Sequence, residues 1–105
     1  MEKEYKNSSL VNNKTQNRFE IVVNDSIAFI DYTEKDKQVA LVHTEVPEVI
    51  GGKGVAAALV EKTLYYLENN NKSLLPLCPY VFAYIKRHPE WKRIVDERFQ
   101  GYNKL

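Results

Sequence analysis

Apolar and polar residues alternate along three early stretches of the chain, and the rhythm changes at a cluster of glycines. "FEIVV", Phe19 to Val23, mixes aromatic and β-branched residues, the types that suit a pleated and half-buried surface. Asn24 and Asp25 supply turn chemistry before "SIAFIDYT", Ser26 to Thr33, resumes the pattern, which predicts a β-hairpin. Beyond the polar "EKDK", Gln38 to Val46, "QVALVHTEV", predicts a third strand. Strict alternation places Val39, Leu41, His43 and Glu45 on one face of it and Ala40, Val42, Thr44 and Val46 on the other. Pro47 stops this strand, because proline has no N–H to give a continuing ladder.

From Gly54 the apolar spacing becomes three and four residues. Val55, Leu59, Val60, Thr63, Leu64 and Leu67 form one stripe, with Glu61, Lys62 and Glu68 displaced from it, which predicts an amphipathic helix ending in "ENNNKS". "SLLPL", Ser73 to Leu77, is short and apolar and follows a helix, so it predicts a strand returning parallel to the third through a crossover. Pro76 places that strand at an edge or a bulge. Pro79 is suited to the first position of a second helix, "PYVFAYIKRH", with Val81, Tyr84, Ile85 and His88 on one side. Pro89 restarts the chain into a last short helix. The order is β-β-β-α-β-α-α, an α+β domain with a mixed sheet flanked by helices, over residues 18–105 after a polar, partly flexible lead-in at 1–17.

Length and charge narrow the function. A chain of 105 residues builds one hydrophobic core. Its 15 basic and 14 acidic residues are spread along the sequence and give a formal net charge of +1, which offers no footprint for nucleic acid or an anionic membrane. A small ligand or a protein partner is expected instead. Cys78 is the sole cysteine, and with only His43 and His88 beside it there is no zinc-ligand spacing, so no metal is expected. The purest apolar runs, Val39 to Val42 and Val55 to Val60, are too short to cross a bilayer. The opening stretch lacks the apolar segment and cleavage site of a secretory signal, and a cytoplasmic location is expected.

The glycines stand between the third strand and the first helix, in "IGGKGVAAALVEKTLYYL", Ile50 to Leu67. Free amides and the positive end of a helix dipole favour a phosphate there, glycines let it approach the backbone, and Lys53 adds charge. A P-loop needs Ser or Thr after its lysine, and Gly54 follows Lys53. Gly52, Gly54 and Ala57 spell the dinucleotide fingerprint, but the strand "LLPLC" that should end in a ribose-binding acid has none. The diphosphate of coenzyme A is the remaining reading. "GKGVA", Gly52 to Ala56, after a strand and opening a helix, resembles the acyl-coenzyme A signature Gln/Arg-x-x-Gly-x-Gly/Ala of the GCN5-related N-acetyltransferases. Gly54 and Ala56 match its last two positions, and Gly51 stands where the family has Gln or Arg. "HTEVPEVIGGKGVAAALV" and "PLCPYVFAYIKRHPEW" resemble more closely a branch of short single-domain acetyltransferases within that superfamily.

The resemblance implies a compact acetyltransferase core, acetyl-CoA as cofactor, and transfer of the acetyl group to a primary amine of a small molecule or a protein. It implies that Gly51, Gly52, Lys53, Gly54, Val55 and Ala56 hold the diphosphate, and that the strand before them, with Thr44, Glu45 and Val46, pairs with the pantetheine arm. Glu45 is then the candidate base, with His43 nearby. Tyr84 is placed to protonate the leaving thiolate. Cys78, just before a helix N-terminus that should favour its thiolate, is a candidate acetyl acceptor in a two-step route. Transfer directly to the amine is the other route, and a coenzyme-binding module without turnover is the alternative function. Lys86, Arg87 and His88 form a basic cluster that complements the second helix's dipole or meets the adenosine phosphate.

Overall fold

Two tight turns carry left-handed backbone at both central positions, three of the four being Asn or Asp. Asn24 and Asp25 have φ of 50° and 68°, and Asp36 and Lys37 have φ of 51° and 71°. Both central residues positive is the geometry whose twist matches paired antiparallel strands. In the computed structural model, which describes residues 9–51 and 54–105, these turns join β2 (Arg18–Val23), β3 (Ser26–Lys35) and β4 (Gln38–Glu45). The registers Val23↔Ser26 and Lys35↔Gln38 close the two hairpins. β1 (Val11–Asn13) lies at one edge, and β5 (Ser73–Pro76) runs parallel to β4 at the other, giving the order β1-β2-β3-β4-β5. The chain between β4 and β5 is the helix α1 (Val55–Asn69), so the expected crossover is present. Helix α2 (Pro79–Arg87) follows β5, with Pro79 in its first turn.

One face of the sheet is the core. Phe19, Ile21, Ala28, Ile30, Tyr32, Val39 and Leu41 meet the buried stripe Leu59, Val60, Leu64 and Leu67 of α1, with Val81 and Ile85 of α2 in the same cluster. Each fully buried aliphatic side chain contributes roughly 1.5–3 kcal/mol. Thr63 sits in the stripe without an unmet polar group, because its hydroxyl donates to Leu59 O at 2.8 Å. Among the described residues no element covers the opposite sheet face over β2 and β3, where Val22 and Ile27 are about half exposed (49 % and 46 %).

β1 was not foreseen in the polar stretch that holds it. Three residues are too few for an alternation to register, and what ties the strand down is polar. The Tyr32 hydroxyl donates to Asn12 Oδ1 at 2.6 Å, and Asn12 Nδ2 donates to the Tyr66 hydroxyl at 3.3 Å. The last short helix is a 3-10 helix, Pro89–Ile94, joined to α1 by Arg93, whose Nε and Nη2 donate to the two carboxylate oxygens of Glu68 at 2.6 and 3.0 Å. The chain then returns to the sheet, where Val95 bridges Leu74. The buried Asp96 accepts from Arg98 Nε (3.0 Å), Nη2 (2.8 Å) and main-chain N (2.9 Å), and from Gln38 Nε2 (2.8 Å). The Arg98 donors, with Gln38, hold its carboxyl well below the usual carboxylate range. Among the described residues no helix is long and apolar enough to cross a membrane.

The strand carrying the candidate chemistry departs from simple alternation. Asp31 pairs with His43 and Tyr32 with Leu41, so two steps of β4 oppose one of β3 and Val42 is the extra residue of a β-bulge. Beyond it the faces exchange. His43 and Glu45 therefore do not share the face of Val39 and Leu41 as expected; they stand beside Asp31 and Phe29 on the uncovered face, while Thr44 shares the core face with its partner Ile30. β4 also ends at Glu45, leaving Val46 just past the strand.

Candidate functional site

A gap opens in the sheet directly beside the bulge. β4 and β5 pair only over Gln38–Leu41 and Ser73–Pro76. The last link is the Cys78 amide donating to Leu41 O at 2.8 Å. Among the described residues, no main-chain hydrogen bond crosses from Val42–Glu45 to β5 or to the chain after it. A strand edge left open between two parallel strands presents amides and carbonyls to whatever lies in the gap. Amides of an extended ligand arm satisfy such groups.

The same end of the sheet carries the glycine loop. After Pro47, a 3-10 turn (Glu48–Ile50) buries Ile50 and leaves Val49 exposed. Gly51 donates its N–H to Glu48 O at 3.1 Å, so that amide is engaged. A Cβ on Gly51 would meet Glu48 O at 3.5 Å, an ordinary contact, so space alone does not require glycine there. Gly52 and Lys53 lie outside the described residues. Gly54 precedes α1 with φ 80° and ψ 10°, a left-handed conformation that glycine adopts without a Cβ penalty. Among the described residues no side chain caps this helix. The first amides of α1 are thus available to an anion. Val55 points its side chain into the core, leaving only its main chain for the loop, and Ala56 is half-buried.

The structure brings the remaining candidates together in two pairs. Thr44 Oγ1 and Cys78 Sγ lie 3.4 Å apart on the helix side of the gap, with Cys78 only 3 % exposed. On the uncovered side, His43 Nε2 and Glu45 Oε1 are 3.0 Å apart, and both side chains are more than half exposed. A carboxylate held by an imidazole and open to solvent is able to accept a proton. Tyr84 belongs to neither pair. It is buried between the helices, its ring 4.3 Å from that of His88, and burial, with Glu61 and Glu90 nearby, pushes its hydroxyl up to about 12. Lys86 and Arg87 lie in the last turn of α2, where they complement its dipole. No cluster of metal-binding side chains occurs among the described residues.

The face exchange at Val42 and the row formed across the sheet by Glu20, Phe29 and Glu45 are the features that sequence reading missed. Glu20 and Phe29 are directly opposed, as are Phe29 and Glu45, so the three side chains share the uncovered face. No local signal marks the bulge, since "LVHTE" continues a plausible alternation; it emerges only from the register against β3.

The described geometry joins an uncapped helix N-terminus, a parted strand pair and an exposed carboxylate at one end of the sheet. A family model described as GCN5-related N-acetyl-transferase matches residues 18–94, which takes in all three features.

Proposed function

Because the chain belongs to the GCN5-related N-acetyltransferase family, we propose that it is an acetyl-CoA-dependent N-acetyltransferase acting on a primary amine. The observation that carries this reading is the parting of β4 from β5 just after Leu41, at the end of the sheet where α1 begins without a cap. Acetyl-CoA, when bound, supplies the activated thioester. The first amides of α1 hold its diphosphate, Lys53 adds a positive charge by its place in the sequence, and the open edge of Val42–Glu45 aligns the arm.

Glu45 is the base. It takes the proton that the amine nitrogen sheds as the new bond to the carbonyl carbon forms, and His43 orients it. Solvent protonates the departing thiolate, since Tyr84 is buried in the core, 6 % exposed, with its ring against that of His88. Cys78 lies on the helix side of β4 and Glu45 on the other, an arrangement that favours direct transfer to an amine arriving from the uncovered side over a two-step route through Cys78.

Calorimetric titration with acetyl-CoA and with NAD, followed by measurement of free CoA over a panel of amines, tests the proposal. Acetyl-CoA binding with amine-dependent CoA release is expected. Binding without release by any acceptor would leave a non-catalytic coenzyme-binding module, and a preference for NAD would overturn both readings.

A further inference from the structure

The uncovered sheet face leads away from Glu45, and its side chains describe an acceptor. The paired positions run Glu45 on β4, Phe29 on β3, Glu20 on β2 and Val11 on β1, one residue per strand. Ile27, the next outward-facing residue of β3 beside Phe29, is 46 % exposed, and Val11 is 48 % exposed. The charges of this face are not evenly cancelled. Arg18 lies over the Phe29 ring with its guanidinium carbon 3.8 Å from the centroid, and its Nε is 3.4 Å from Asp31 Oδ1, so Asp31 has its cation. Glu20 accepts from the neutral Asn13 Nδ2 at 2.9 Å, and Glu45 contacts His43. Among the described residues neither of these two carboxylates pairs with a lysine or arginine.

We infer that the acceptor is an extended, lysine-bearing segment of a polypeptide that lies across this face and carries a second basic residue about three positions from the acetylated lysine. This rests on the acetyltransferase reading and specifies its substrate. Two strand spacings separate Glu45 from Glu20, about 10 Å, and a segment extended as a polyproline II helix, with three residues per turn and a rise of about 3.1 Å, covers that distance in three residues and presents both side chains on the same side. The acetylated lysine lies at Glu45, the apolar part of the segment rests on Ile27 beside the Phe29 ring that Arg18 covers, and the second cation meets Glu20. A small amine would need a concave pocket to bury it. Here Glu45 and His43 stand on an open sheet face, and a polypeptide brings its own cover.

The test uses the full chain and two synthetic peptides, one with lysines three residues apart and one with the second lysine replaced by glutamine. Fluorescence anisotropy measures binding of each, and CoA release measures transfer. The dibasic peptide is expected to bind more tightly by roughly three- to fivefold, the range of a partly exposed charge pair, and the advantage is expected to shrink with salt. Glu20→Gln is expected to abolish that advantage while leaving acetyl-CoA affinity and binding of the glutamine-substituted peptide unchanged. Equal binding of the two peptides, or an advantage that survives Glu20→Gln, overturns the inference. Both results can be read by anisotropy alone, so they stand apart from the acetyltransferase reading, which fails instead if no acetyl-CoA is bound.

Discussion

At the residue scale labour is divided between side chains adjacent in sequence. Glu45 faces solvent beside His43, and Thr44 turns inward to Cys78. Glu45→Gln is expected to slow transfer at saturating acetyl-CoA by about 10²-fold, the contribution of a positioned general base, with little change in coenzyme affinity. Unchanged steady-state rates would retire Glu45 from that role. Cys78→Ala is expected to retain most of the turnover, and intact-protein mass spectrometry after acetyl-CoA alone is expected to show no adduct on Cys78; a stoichiometric acetyl adduct that an amine discharges would establish the covalent route instead. Gly54→Ala places a Cβ at φ 80° and is expected to cost about 1 kcal/mol in chemical denaturation, because the left-handed region penalises it. Gly54 was legible from its place before a helix, and Glu45, Thr44 and Cys78 became candidates through the resemblance of the segments that hold them to the acetyltransferases. The separation of Glu45 from Thr44 and Cys78 onto two faces was not legible. It depends on one extra residue in a ladder, and the partner strand alone reveals it.

At the scale of elements, the apolar rhythm identified β2 through β5 and both helices because each buries a face of matching period: alternate residues for the strands, and Leu59, Val60, Leu64 and Leu67 for α1. β1 escaped because Asn12, bonded between Tyr32 and Tyr66, fastens it in place of an apolar stripe. The C-terminal segment is likewise held by a polar centre, and it makes stability depend on pH. The Asp96 carboxyl is more acidic in the folded chain than in the unfolded one, so its contribution is present above the unfolded value near 4 and is lost as pH falls below it. Denaturation of the wild type from about pH 6 down to about pH 2 is expected to show this loss, and Asp96→Asn is expected to flatten it; equal slopes for the two proteins would contradict the role. Tyr84 has the opposite sense. Its hydroxyl is raised to about 12, so it supports the fold below the unfolded value near 10, and stability declines as pH rises from there towards 12.

For the whole molecule, function follows from where the sheet is closed and where it is left open. The two helices and one face form the core, and the β3–β4 turn end is tied by Asp96 to Gln38. At the other end β4 and β5 part, α1 presents free amides, and Glu45 stands on the uncovered face. The fold class and the loop's place between a strand and a helix could be read from the sequence, whereas the width of the gap and the shared end of these features are properties of the assembled sheet. The most direct measurement is a titration of the isotopically labelled full chain with coenzyme A, followed through its backbone amide resonances. The account predicts saturable shifts concentrated at Val42 to Glu45 and at Gly54 to Ala57. Saturation with those amides unmoved, and the shifts gathered on another part of the surface, would contradict it.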